Sequence, residues 1–164
     1  MTAAPQRRSG HPSVEIQVES PQWGAEPRAE ETVRAAIAAV ADMLSTAGGE
    51  VSIVLTGDSD MQELNRTWRG IDKPTNVLSF PAPSPRVGDM LGDIVISYET
   101  LKRECGDEGR IFLHHLAHLA VHGFLHLIGY DHNTDAEADA MEALESKIMT
   151  RMQMPDPYLG RDVD

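Results

Sequence analysis

Apolar positions recur along the chain in two rhythms, and these divide it into elements. Val14, Ile16 and Val18 alternate with polar residues, which predicts a short, half-buried strand. Residues 20–26 read as a loop. From about Pro27, Val33, Ile37, Val40 and Leu44 form one apolar stripe, predicting a helix to Ala47 that Gly48-Gly49 stops. The β-branched run VSIVLTG (51–57) predicts a second strand. Ser59-x-x-Gln62 has capping-box spacing and predicts a short helix to about Thr67. Val77–Phe80 reads as an edge strand ended by Pro81, residues 81–89 as a loop and candidate lid, and Gly92–Ser97 as a buried strand. A short helix over 98–105 leads into the most apolar long stretch, residues 111–132. Thr134-x-x-Glu137 is a second capping box, opening a final helix with Ala138, Met141, Leu144 and Ile148 that runs to about Arg151.

About four short strands and several helices predict an α+β domain, a small mixed sheet with the histidine-rich helix of 111–128 packed on it. Residues 1–12 are expected to be a flexible arm, 13–151 one domain, and 152–164 a poorly ordered tail.

Composition narrows the class. With 164 residues and 41% hydrophobic content, the chain can bury a real core. Its formal charge is −12; residues 1–80 hold 7 basic and 11 acidic side chains, and residues 81–164 hold 7 and 15. That balance argues against coating nucleic acid through a broad basic face, while leaving room for local recognition by a few arginines and a cation. Cys105 is the only cysteine, so an internal disulfide is ruled out and a reducing cytoplasm is expected. No secretory signal follows Arg7-Arg8, and the one strongly apolar stretch carries too many imidazoles for a membrane span.

Those imidazoles are the chemistry. Six of the seven histidines lie in IFLHHLAHLAVHGFLHLIGYDH (111–132). His122 and His126, at i and i+4, leave the same helix face. Gly129 can take a positive φ, end the helix and turn the chain back, so that His132 supplies a third nitrogen. The pattern H-x-x-x-H-x-x-G-x-x-H predicts one metal ion on His122, His126 and His132. A fourth position open to water or phosphate suits a catalytic zinc site. His118 and His126 are about 12 Å of helix rise apart, so His114, His115 and His118 are assigned to packing or support. Metzincin peptidases use this spacing with a glutamate as general base. Here that position is Gly123.

Three segments in order, LNRTWRGIDKPTNVLSFP (64–81), LGDIVIS (91–97) and HLAVHGFLHLIGYDH (118–132), resemble the bacterial YbeY family. The similarity runs from about Val14 to Arg151. The resemblance implies a zinc-dependent, single-strand-specific endoribonuclease of the cytoplasm. Its expected roles are 16S rRNA 3′-end maturation and ribosome quality control, with single-stranded RNA and the ribosome or its proteins as partners. It places the zinc ligands on His122, His126 and His132 and the motif arginine on Arg69. Trp68 stands where the family usually has tyrosine, and Ile71 where lysine is common.

Cleaving a phosphodiester needs charge neutralisation and an activated nucleophile, and a zinc ion at an open site can lower the pKa of water to about 7. Arg69 offers a planar fork that matches phosphate oxygens and is the candidate catalytic residue; its alternative is a surface salt bridge with Asp72. Trp68 either stacks on a base or is buried. Lys73 and Arg66 are read as solvated charge. Asp131 either orients an imidazole or forms a turn, and Asp93 either lines the site or caps its strand. His118 is the histidine nearest to a base role. Two other functions remain open from the residues, a non-catalytic ribosome-assembly factor braced by zinc and a metzincin-like zinc hydrolase. Nickel, cobalt or manganese can also occupy such a site. Oligomeric state is left open.

Overall fold

A computed structural model describes residues 11–46, 48–83 and 89–159. In chain order the elements are β1 (Ser13–Val18), α1 (Ala29–Leu44), β2 (Glu50–Thr56), α2 (Asp58–Arg69), β3 (Val77–Pro81), β4 (Met90–Ser97), α3 (Tyr98–Glu108), α4 (Phe112–Leu127) and α5 (Asp135–Arg151), with a 3-10 turn at Pro21–Ala25. The four strands form one mixed sheet in the order β1-β2-β4-β3. β1, β2 and β4 run parallel, and β3 lies antiparallel along β4, Ser79 opposite Ile94. The α+β class and the edge placement of β3 agree with the sequence reading.

Period-two alternation sends side chains to two cores. Ile53 and Leu55 of β2 and Ile94 and Ile96 of β4 join the larger core with α1, α4 and α5. Val54 and Val95, one residue out of step, face a smaller cluster around Met61 of α2 and Leu78 of β3. The sheet thus has α4 on one face and α2 on the other, with edge strand β3 between them. At the far side of the large core, Trp23 meets Tyr98 and Phe112 with ring centroids 5.2 and 5.9 Å away, and its Nε1–H donates to the Thr56 carbonyl at 2.9 Å.

Three sequence expectations are corrected. α1 stops at Leu44, where Ser45 takes a left-handed conformation (φ 52°), ahead of Gly48-Gly49. Ser59 does not cap α2; Gly57 holds that position, and Glu99 of α3 reaches across to accept the Asp58 N–H at 2.7 Å. A carboxylate from another helix fulfils the capping role, a substitution that local spacing does not reveal. Residues 152–159 of the expected tail fold back: Pro157 is buried, and Asp156 accepts from Ser146 Oγ at 2.8 Å. Thr134 does form a full capping box with Glu137. Residues 1–10 of the arm, 84–88 of the loop and 160–164 of the tail lie outside the described residues. Among the described residues no helix is long and apolar enough to cross a membrane.

Candidate metal centre

α4 is stopped by backbone geometry that also completes the site. Ile128 caps it, Gly129 follows at φ +113°, and the N–H groups of Gly129 and Tyr130 donate to the carbonyls of His126 (3.2 Å) and Leu125 (3.0 Å). This is the Schellman pairing, and it needs a residue free of the Cβ penalty at Gly129. The reversed chain carries His132 back over the last turn. Ligand atoms of His122, His126 and His132 all lie within 4.8 Å of one another.

Each helical imidazole is fixed from behind. His122 Nδ1 lies 2.6 Å from Glu145 Oε2 of α5, and His126 Nδ1 lies 2.9 Å from the Tyr130 carbonyl. Those acceptors call for a proton on Nδ1, which leaves the Nε2 lone pair for a metal. Burial, then the neighbouring His122 and His132, lower the His126 pKa against a smaller opposing effect of the Tyr130 carbonyl. The neutral, ligating form is favoured. Three imidazoles so arranged fit a transition-metal ion.

Glu145 is the functional residue the sequence reading missed. It is fully buried and accepts from His118 Nε2 at 2.8 Å, from His122 and from the Tyr158 hydroxyl. Burial alone would raise its carboxyl, but the bonds from His118 and His122 outweigh that and hold it at about 2. A signal existed: Glu145 lies four residues after Met141 and three before Ile148, on the stripe that α5 buries. His118 therefore supports the site through Glu145, and its nitrogen is committed there.

An open cleft of about 500 Å³ joins the three histidines to Arg69, Asn76 and Ser79. Arg69 ends α2 and reaches this cleft past the edge strand. The Asp72 bridge expected as its alternative is not formed, since Asp72 accepts from Gln62 at 3.0 Å and lies 3.9 Å from Arg66. Among the described residues Arg69 has no ion-pair partner. Buried Asn65 braces the following loop by donating to the Lys73 carbonyl at 2.8 Å. Arg66 pairs with Glu63 at 2.8 Å, as solvated surface charge does. Trp68 is 66% exposed, edge-on to Phe80 at 6.2 Å, which removes the buried alternative. Asp131 is a turn former, accepting from the His132 N–H and Asn133 Nδ2, both at 2.8 Å. Asp93 sits inside β4 opposite Phe80 and Ser52, so it is not a strand cap.

Gly123 answers the peptidase alternative. A Cβ there would lie 2.9 Å from Ile94 Cγ2 and 3.1 Å from Ser79 Oγ, and the Ser79 hydroxyl donates to the Gly123 carbonyl at 2.9 Å. The position that carries a metzincin's base is pressed against the sheet and has no room for a side chain.

Comparison with known proteins identifies the family. The family model described as Endoribonuclease YbeY matches residues 15–153. A Rhodopseudomonas palustris (strain BisB18) protein of that name is 54% identical over 160 residues, covering 92% of this chain and 95% of its own. A Nitrobacter winogradskyi protein of the same name is also 54% identical, over 92% of this chain and 84% of its own. The solution structure of a Thermotoga maritima protein superposes with a TM-score of 0.54 at 23% identity, over 85% of this chain and 91% of that one, a likeness of fold.

Proposed function

The chain belongs to the Endoribonuclease YbeY family, and from this we propose that it is a metal-dependent hydrolase cutting phosphodiester bonds within single-stranded RNA. The observation that carries the reading is the convergence of His122, His126 and His132 in one cleft with Arg69, which has no ion-pair partner among the described residues. We take the ion to be a single zinc, the borderline metal that imidazoles hold well. When bound it supplies Lewis-acid chemistry, charge neutralisation at a phosphoryl oxygen and activation of water.

The chain's own residues do the rest. Glu145 and the Tyr130 carbonyl fix the two helical imidazoles as Nε2 ligands. Arg69 binds the scissile phosphate and stabilises the charge that builds on it, its fork matching two phosphate oxygens. The lack of a carboxylate partner among the described residues supports this role. A cleft of about 500 Å³ has room for a nucleotide or two of one strand. Exposed Trp68 is placed to stack on a base outside the cleft. Ribosomal RNA is the proposed substrate, the ribosome the proposed partner and the cytoplasm the proposed place of work.

The test is cleavage of a single-stranded ribosomal RNA fragment by wild type, His126→Ala and Arg69→Ala prepared identically. Cutting by the wild type alone, stopped by chelator while far-UV CD persists, is expected; equal cutting by all three would assign the activity to a contaminant. Arg69→Lys keeps the charge and loses the fork, so its kcat should fall by about a hundredfold. Near-normal cleavage by that variant would remove the fork argument.

A further inference from the structure

The cleft does not end at His122. A second cavity of about 610 Å³ opens beyond it, and Asn76, Val77 and His122 line both. Its fixed charges are Glu104, Glu108 and Arg110. Arg110 is neutralised there by Glu108 at 2.6 Å. Glu104, from α3, stands in the wall as a fixed anion: Oε1 is 2.8 Å from His115 Nε2 and accepts from Asn76 Nδ2 at 3.0 Å. The His115 ring is buried and among the described residues its Nδ1 has no partner, so the bond from Nε2 serves to hold Glu104. Burial raises the Glu104 carboxyl, but these two bonds outweigh it and keep the group ionised at neutral pH.

An ionised carboxylate beside an RNA cleft repels phosphates. It is compatible with RNA where it meets the part of a nucleotide that donates hydrogen bonds, the amino groups of the bases. Glu104 retains that capacity: its side chain is 30% exposed, and Oε2 has a single 3.3 Å contact with Asn76. The rings of His118 and Tyr158, packed edge to face at 5.5 Å, line the same wall.

We propose that this cavity is a nucleobase subsite, in which Glu104 accepts a hydrogen bond from the exocyclic amino group of a base flanking the scissile phosphate. Adenine, guanine and cytosine carry such a group. Uracil presents a carbonyl oxygen there, so it is disfavoured. His115 and Asn76 are positioning residues for the carboxylate. The inference rests on the endoribonuclease reading above.

The experiment uses the full chain and single-stranded oligoribonucleotides with one cleavage site. The nucleotide on each side of the scissile phosphate is varied in turn, and adenosine is compared with purine riboside, which lacks only the 6-amino group. At one of the two positions the wild type should lose about tenfold in kcat/KM when the amine is removed, the size of a lost contact to a base edge. In Glu104→Leu, which can neither accept nor donate, the ratio should fall close to one. Equal rates for adenosine and purine riboside at both positions in the wild type overturn the subsite, whatever the variant does. Discrimination that survives in a folded Glu104→Leu overturns the assignment to Glu104. If the wild type cuts none of the oligonucleotides, the nuclease reading fails and the subsite with it.

Discussion

The two halves of α4 carry imidazoles one turn apart and use them in opposite ways. In the N-terminal half, His115 and His118 turn Nε2 toward carboxylates, Glu104 and Glu145, and leave Nδ1 buried with no partner among the described residues. In the C-terminal half, His122 and His126 turn Nδ1 toward an acceptor and keep Nε2 for the point where His132 arrives. Spacing alone does not separate them, since His118 precedes His122 by the same four residues that separate His122 from His126. What separates them is the ring nitrogen that faces inward. An imidazole held by its far nitrogen is a strut, and one held by its near nitrogen has Nε2 left to offer a metal. Glu145 joins the halves by accepting from one of each kind.

Four tests bear on that contrast. His126→Ala should abolish stoichiometric metal binding and lower cleavage by a thousandfold or more, on the order expected when electrostatic and Lewis-acid stabilisation are both lost. Metal retained by that variant at wild-type affinity would dissolve the distinction. Glu145→Gln keeps the shape but lacks the anion behind His122; its metal affinity, measured by competition with a chromogenic chelator, should fall by about 10–100-fold. Unchanged affinity would make Glu145 a strut for His118 alone.

The same carboxylate should be visible in acid. Its pKa is about 2 in the folded protein against an ordinary 4.5, so it is depressed. Its contribution, on the order of 3 kcal/mol, is fully present above pH 4.5 and is lost as pH falls towards 2. The wild type should therefore lose stability more steeply across that window than Glu145→Gln; equal slopes by denaturant titration would count against the depressed pKa. The smallest effect belongs to the N-terminal half. His115→Asn should lower stability by about 1–3 kcal/mol, the desolvation cost of leaving Glu104 short of a donor, while metal affinity stays at the wild-type value. A shared loss of both would mean the halves are not separable.

Much of the centre is written within a few residues and was readable there. The i, i+4 histidines, Gly129 and His132 are one helix end, and Thr134 with Glu137 is one turn, so local geometry determines both. Strands β2 and β4 announce themselves by β-branched runs. Partners that arrive through tertiary structure were not readable. Glu145 lies more than twenty positions from His122, and nothing local says that a buried acid on α5 will meet it. Arg69 was nameable from the family pattern, whereas its freedom from Asp72 depends on Gln62 and Arg66 occupying that carboxylate first. Glu99 displaced the expected Ser59 cap for the same reason, distance along the chain. The tail was misread because Pro155 and Pro157 suggest disorder by composition, while Tyr158 has a buried acceptor waiting in Glu145.

The close seat of Gly123 on β4 also says something about descent. A chain with this histidine spacing looks one codon change away from a peptidase, since only the glutamate is missing. The first carbon of any such side chain would fall within 2.9 Å of Ile94. Taking that step overpacks the seam between α4 and β4, at a cost of about 1–3 kcal/mol, unless the Ile94 side chain is cut back first. Sequence neighbours in this case are not neighbours in the space of viable proteins, and the two hydrolase activities are kept apart by the thickness of a methyl group.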